Sequence, residues 1–477
     1  MRMEAIVENT VENVENSVKR ETERLLASTK HVACSNPNLA REAMAFCEPY
    51  KTFLDDGKTE RESVKTTRKI LNGAGYSEYV FGKKYKSGEK VAIYHRNKAV
   101  IAATIGKKGL EHGVRMVIAH IDSPRLDLKP NPLYEAEKIA YFKTHYYGGV
   151  RKYQWVATPL SMHGVAIKSN DETVEMCLGE KPGEPCFTMT DLLPHLSAEQ
   201  NKRSLSEGIR GEELNILVGS LPFNNEDAAD GVKLEAMRIM NELYGITEKD
   251  FVRAEIEFVP AFKAADVGFD KSMIGAYGQD DRVCAYTALM AEIEQKKPEY
   301  TTLCVLTDKE ETGSDGNTGL AGEYLFHFLQ DMAEANKANY RALLAASACL
   351  SADVNAAFDP TFPDVYEKRN SCQLNQGVVL TKYTGSRGKG GTSDANAEFV
   401  GSVTNMLDRQ GVPWQIGELG KVDAGGGGTI AKFVANKNVD VLDVGVPVLS
   451  MHSPFEVTAK ADVYATYLAF KAFYGQA

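Results

Sequence analysis

Five short stretches of this 477-residue chain place histidine or carboxylate side chains directly after apolar runs or at the start of a helix. VRMVIA runs into His120-Ile121-Asp122, LCVLTD leads to Glu310-Glu311, LLAASACLSA ends in Asp353, and VDVLDVGVPVLSM ends in His452. Asp280-Asp281 follows Tyr277-Gly278 and opens a helix. Imidazole nitrogens and carboxylate oxygens without a thiolate suit Zn²⁺ or a similar divalent ion. Five ligands exceed what one catalytic zinc takes. They suit two ions about 3.5–4 Å apart, with one bridging carboxylate, a terminal histidine on each ion and a water between them. A spare carboxylate beside that water is then a candidate general base, able to take its proton and pass it to a leaving amine.

Each piece has a plainer explanation when taken alone. An H-x-D triplet arises by chance, and an acidic pair opening a helix suits the positive end of the helix dipole. The weight lies in the joint placement at the C-terminal ends of strands, where open α/β sheets form ligand crevices. The other seven histidines (His31, His95, His112, His145, His163, His195, His327) have no such setting. GSRGKGGTSD, from Gly385, lacks the spacing of a phosphate-binding loop. DAGGGGT, with Gly425 and Gly426 at its start, would strip side chains from the lip of a cleft.

The elements that must position these groups follow from the pattern. The first eighty residues show helical spacing and stop at Gly73 and Gly75. From Val91 the texture changes to short β-branched runs bounded by glycine or proline, which predicts strands. After Ala261 helices and strands alternate, which predicts an α/β fold with a mostly parallel central sheet flanked by helices. Between them, residues 128–260 carry many short strand-like pieces such as WVATPLSMHGVAI and ELNILVGS. That stretch reads as a β-rich domain inserted into a first domain made of residues 1–127 and 261–477.

Composition narrows the class. The 65 acidic and 55 basic residues leave a net charge of −10, no footprint for nucleic acid or an anionic membrane. No run reaches the eighteen apolar residues of a membrane span. The N-terminal MRMEAIVENTVENVENSV is acidic and lacks the apolar stretch of a signal peptide. Eight scattered cysteines without a C-x-x-C pair read as reduced, buried thiols, so a cytoplasmic location is expected.

The motifs AHIDSPRLDLKP, GQDDR, DKEETGS, SADVNAAFDP and MHSPFE resemble, in order and spacing, the aspartyl-aminopeptidase family of dinuclear zinc aminopeptidases, and within it the bacterial branch. The resemblance runs from about Ala43 to the C-terminus. It implies a zinc-exopeptidase-like catalytic domain and a cytosolic hydrolase that removes the N-terminal residue of peptides. His120 and Asp353 would hold one ion, Glu311 and His452 the other, and Asp280 would bridge them. The ions would be zinc, with cobalt or manganese as alternatives. Glu310 matches the catalytic base, and Asp122 the carboxylate that orients the ligand histidine and raises its basicity. In related folds the peptide after the bridging aspartate is cis, so the resemblance implies a cis Asp280-Asp281 bond. The inserted domain would form homodimers that build a tetrahedral homododecamer, with His195 donating a hydrogen bond to the oxyanion in a neighbour's site. Lys382, with Arg387 or Lys389 near it, lies where relatives shape the substrate pocket.

Eukaryotic aspartyl-selective members read D-M-A-H-A-V-H-P where this chain has Asp353-Val354-Asn355-Ala356-Ala357-Phe358-Asp359-Pro360, without either histidine. Asp423 adds a negative charge near the glycine tract, unwelcome to an acidic substrate. A strict preference for N-terminal Asp or Glu is therefore not carried over. The competing functions are a dinuclear zinc carboxypeptidase or N-acyl amidohydrolase, and a non-catalytic assembly protein.

Overall fold

A computed structural model describes residues 16–22, 24–26, 29–224 and 229–476. The signal-peptide argument concerns the N-terminal stretch, most of which lies outside these residues. The larger sheet has nine strands in the order Ser77–Glu78, Lys90–His95, Ala99–Thr104, Thr301–Thr307, Val114–His120, Ala348–Ala352, Asp440–Gly445, Val378–Thr381 and Trp414–Ile416. Its four middle strands, from Thr301–Thr307 to Asp440–Gly445, are mutually parallel. The sheet as a whole is mixed: five of its eight neighbouring pairs are parallel and three antiparallel. Lys90–His95 and Ala99–Thr104 form an antiparallel hairpin, and Ala99–Thr104 and Val378–Thr381 also join the parallel core antiparallel. The hairpin has a local cause: Arg96 and Asn97 both take positive φ (52° and 56°), as primed two-residue turns require, and Lys98 N–H closes the turn on the His95 carbonyl at 3.0 Å.

Side-chain alternation along the middle strands fills both faces. Val117 and Ala119 pack among Phe53, Leu289, Met406 and Phe470, on helices Pro37–Asp56, Gln279–Ile293, Ala397–Gln410 and Lys460–Tyr474. Met116 and Ile118 point the other way, into Phe328, Met332, Leu343 and Val434 on helices Tyr324–Asn336, Tyr340–Ala345 and Ala431–Ala435. Strands buried on both faces read as continuous apolar runs, and TTLCVLT does so.

Between Arg125 and Pro260 the chain forms a second sheet of seven strands, all antiparallel neighbours, with its own core around Trp155, Phe142 and Phe258. Its seam with the helical segment around Lys58 and Glu60 is ionic. Buried Arg125 lies 3.3 Å from both Glu60 and Glu257, and Lys58 lies 2.7 Å from Glu180. A third sheet of five short strands includes Met273–Ala276 and Glu456–Ala459.

All eight cysteines are free thiols, but Cys34, Cys177 and Cys186 are exposed, a correction to the expectation that the thiols are buried. Cys177 sits on the outer strand Thr173–Leu178, where Met176 points into the core and its neighbours point out. Apolar flanking residues do not bury a cysteine on a strand with only one covered face. Among the described residues, no helix is long and apolar enough to cross a membrane.

Candidate metal centre

The parallel middle strands deliver the candidate residues to one edge of the sheet. His120 ends Val114–His120, and Asp353 follows Ala348–Ala352. Glu310 and Glu311 lie in a single 3-10 turn, Glu310–Thr312, just past Thr301–Thr307. Asp280 and Asp281 enter from the start of helix Gln279–Ile293, joined by a cis peptide bond, and His452 enters from a tight turn at φ 65°.

Asp280 lies between the two histidines. Its Oδ1 is 3.1 Å from His120 Nε2 and its Oδ2 is 3.1 Å from His452 Nε2. Asp353 Oδ1 is 3.8 Å from His120 Nε2, and Glu311 Oε2 is 3.5 Å from His452 Nε2. The donor atoms of His120, Asp280 and Glu311 lie within 4.8 Å of one another, as do those of His120, Glu310 and Asp353. Both histidines present Nε2 to the carboxylates because Nδ1 is engaged elsewhere. His120 Nδ1 is 3.0 Å from the Asp122 carbonyl and 3.4 Å from its carboxylate; His452 Nδ1 is 2.8 Å from the Gly149 carbonyl.

The donor set fits divalent cations. Glu311 Oε1 is buried without a hydrogen-bond partner, and Asp280 Oδ1 has only its ion-pair contact with His120, which is costly unless a cation completes them. Carboxylates outnumber the local positive charges. Burial and the charge of Asp353 push Glu310 up to about 8, and burial with Asp280 drives Glu311 upward. Burial disfavours the charged form of His452, yet Asp280 and Glu311 carry it up to about 11. Burial likewise opposes ionisation of Asp280, but its contacts with His120 and His452 hold it well below the usual carboxylate range.

Three groups that the sequence reasoning left unassigned hold the cluster. Glu456, buried and pushed up to about 8 by burial and Asp280, accepts the His452 N–H at 2.7 Å and the Asp280 N–H at 3.0 Å. Its signal was the glutamate four residues after His452 in MHSPFE. Tyr147 donates its hydroxyl to Asp122 Oδ2 at 2.7 Å, and Gly149 supplies the carbonyl described above. Both come from the second sheet or its edge, and neither has a local sequence signal.

A cavity of about 560 Å³ opens over the cluster, walled by Asn355, Thr384, Leu419, Phe433 and Met451, with Lys432 at its margin. Gly426 lines this cavity, and Gly425 lines the shallow depression beside it with Arg387, Lys389 and Asp423. A Cβ at Gly425 would fall 2.1 Å from the Leu419 carbonyl oxygen, and one at Gly426 2.3 Å from that of Gly385, so backbone approach itself demands glycine here. Lys382 is exposed, and its carbonyl accepts the Ala395 N–H at 2.9 Å. His195 is exposed in the second-sheet segment, and among the described residues it makes no hydrogen bond or ion pair with the cluster.

Comparison with known proteins places this arrangement. The family of aminopeptidase I zinc metalloproteases, M18, matches residues 53–474. A probable M18 family aminopeptidase 1 from Clostridium acetobutylicum is 46% identical over 441 residues, covering 91% of this chain and 95% of its own. The crystal structure of an M18-family aminopeptidase from Thermotoga maritima superposes with a TM-score of 0.90 at 44% identity, over 94% of this chain and all of its own. A dodecamer of S. cerevisiae mApe1 has a TM-score of 0.72 at 22% identity, over 91% of this chain and 96% of its own, a likeness of fold. The chain belongs to the M18 family of zinc metallo-aminopeptidases. A metal-dependent aminopeptidase is therefore the function the sequence motifs and the family share.

Proposed function

We propose that the cluster holds two divalent ions, zinc in the first instance, and hydrolyses the N-terminal peptide bond of peptides. The observation that carries this reading is Asp280, each of whose oxygens lies 3.1 Å from a different histidine. His120 and Asp353 would serve one ion, His452 and Glu311 the other, and Asp280 both. When bound, such ions polarise a carbonyl and lower the pKa of a water. Glu310 takes a proton from the attacking water on its carboxylate and delivers it to the departing amine. Asp122 fixes Glu310 through its backbone. Lys382, Gly425 and Gly426 border the substrate.

Residues 1–127 and 261–477 act as the catalytic domain, and residues 128–260 as the inserted domain through which copies pair. Exposed Leu192, Leu193 and Leu196 around His195 support that pairing, since clustered exposed leucines mark protein contacts. Pairing would bring His195 to a neighbour's site, and a tetrahedral homododecamer is the assembly we favour. Free thiols support a cytoplasmic location.

The test is a panel of aminoacyl substrates with acidic, basic and apolar side chains, each also N-acetylated, assayed after chelation and after return of Zn²⁺, Co²⁺ or Mn²⁺. Free-amine substrates should be cleaved only with metal. Preference for acetylated substrates would transfer the reading to an amidohydrolase.

A further inference from the structure

Outside the candidate metal centre, one more group of metal-ligating side chains converges among the described residues: Glu62, His163 and Cys177, with donor atoms all within 4.8 Å of one another, the same closeness as in the His120 clusters. Tetrahedral zinc with one sulfur at about 2.3 Å and nitrogen or oxygen at about 2.0–2.2 Å needs donors about 3.3–3.8 Å apart, so small side-chain rotations suffice. Glu62 comes from helix Glu60–Gly73, whereas His163 and Cys177 face each other in register across strands Leu160–Ile167 and Thr173–Leu178 of the second sheet.

The surroundings are already arranged for a ligand histidine. His163 is 2% exposed, and its Nε2 lies 3.1 Å from Glu180 Oε1 and 2.9 Å from Ser161 Oγ. Glu180 is itself held by Lys58 at 2.7 Å and Lys263 at 2.6 Å. A carboxylate on the far nitrogen fixes the tautomer that leaves the near nitrogen free for a metal. That near nitrogen, Nδ1, is 2.8 Å from Glu62 Oε1. The other Glu62 oxygen accepts the Thr59 N–H at 3.3 Å in the capping box of its helix, so the carboxylate is oriented before any ion arrives.

Access and charge are both suitable. Glu62 and Cys177 line an open cavity of about 690 Å³ between the helix and the second sheet, which leaves room for a water as fourth ligand. Two cations that line this cavity are engaged elsewhere: Arg61 with Glu255 at 2.6 Å, and Lys65 with Glu175 at 2.5 Å. A thiolate, an imidazole and a carboxylate form a donor set of borderline softness, which favours zinc over calcium or magnesium.

We propose that Glu62, His163 and Cys177 form an accessory zinc site that ties the first helical segment to the second sheet, separate from the candidate catalytic cluster. Among the described residues no cysteine belongs to that cluster's donor sets, so a spectroscopic probe distinguishes the two sites whatever becomes of the aminopeptidase reading. The full-length protein, freed of metal by a chelator, is titrated with Co²⁺ under reducing conditions. A near-ultraviolet thiolate-to-cobalt charge-transfer band is expected, saturating at one thiolate site per chain. Cys177→Ser should abolish it, bind one fewer zinc per chain, and leave peptide turnover unchanged. Cys34→Ser and Cys186→Ser, which alter the other exposed thiols, should retain it, and His163→Gln should weaken it. Because Cys177 is exposed, its serine variant is not expected to perturb the core, so the result does not hinge on His163→Gln folding. Absence of the band in the unaltered protein, or its persistence in Cys177→Ser, overturns the proposal and leaves His163 as an imidazolium clasped by two glutamates.

Discussion

The Asp122 carboxylate accepts the backbone N–H of Glu310 at 3.1 Å. Its other oxygen accepts the Glu311 N–H at 3.2 Å and the Tyr147 hydroxyl at 2.7 Å. Asp122 thus sets the height of the glutamate turn over the sheet edge, in addition to lying beside His120. Asp122→Asn puts an amide where two N–H groups and a hydroxyl seek acceptors. We expect kcat to fall on the order of 10–100-fold with little change in KM, the range for lost outer-shell support of a metal site. Steady-state kinetics with metal content measured in parallel decides it, and an unaltered kcat would remove Asp122 from the positioning role.

Glu310→Gln keeps the shape of the side chain and removes its basicity. The expected loss in kcat is on the order of 10²–10⁴-fold, the usual share of a general base. Metal content by elemental analysis should equal that of the parent. Full activity with both ions retained would mean that another group moves the proton.

Glu456 joins His452 to Asp280 through two backbone N–H groups. Glu456→Gln offers one acceptor and one clashing amide to that pair. The His452 turn then loosens, and metal affinity should weaken by about 10–100-fold. Titration against a chromophoric chelator reads this directly, and an unchanged dissociation constant counts against it.

Glu292 tests stability rather than catalysis. It is fully buried in the first core, receiving the Thr104 hydroxyl at 2.7 Å and the Tyr76 hydroxyl at 3.0 Å, and burial pushes its carboxyl up to about 7. The folded state therefore keeps a proton that the unfolded chain releases near the ordinary glutamate value of 4.5. Stability falls as pH rises from that value to about 7 and then levels, by an amount on the order of 3 kcal/mol. Glu292→Gln lacks this term, so its stability relative to the parent should improve between pH 5 and pH 8. Chemical denaturation at the two pH values checks the sign, and a parallel shift of both proteins refutes it.

The residues that could be read from sequence were those whose chemistry coincides with a local signal. His120, Glu310, Asp353 and His452 each follow an apolar run; a parallel sheet core delivers the first three to one edge, and His452 comes from the turn after Pro447–Leu449 of the third sheet. The strand directions outside that core were harder, because they depend on turns such as Arg96-Asn97, whose positive φ values no apolar pattern encodes. Tyr147 and Gly149 escaped notice for another reason. They reach Asp122 and His452 only after the second sheet has docked, and Gly149 acts through its carbonyl, which is common to all residues. The exposed Cys177 was misread because its burial depends on which face of an outer strand is covered.

The bonds from Tyr147 and Gly149 also make the centre depend on distant parts of the chain. His120 and Asp280 flank the second sheet in sequence, so they approach to 3.1 Å only when that long intervening segment has closed on itself. His452 comes from a further sheet and meets the Gly149 carbonyl only when both sheets are docked. A chain folded in part keeps its carboxylates and imidazoles apart, and so has neither a peptide-cleaving centre nor a trap for metal ions. Proteolytic competence is thereby interlocked with completion of the fold.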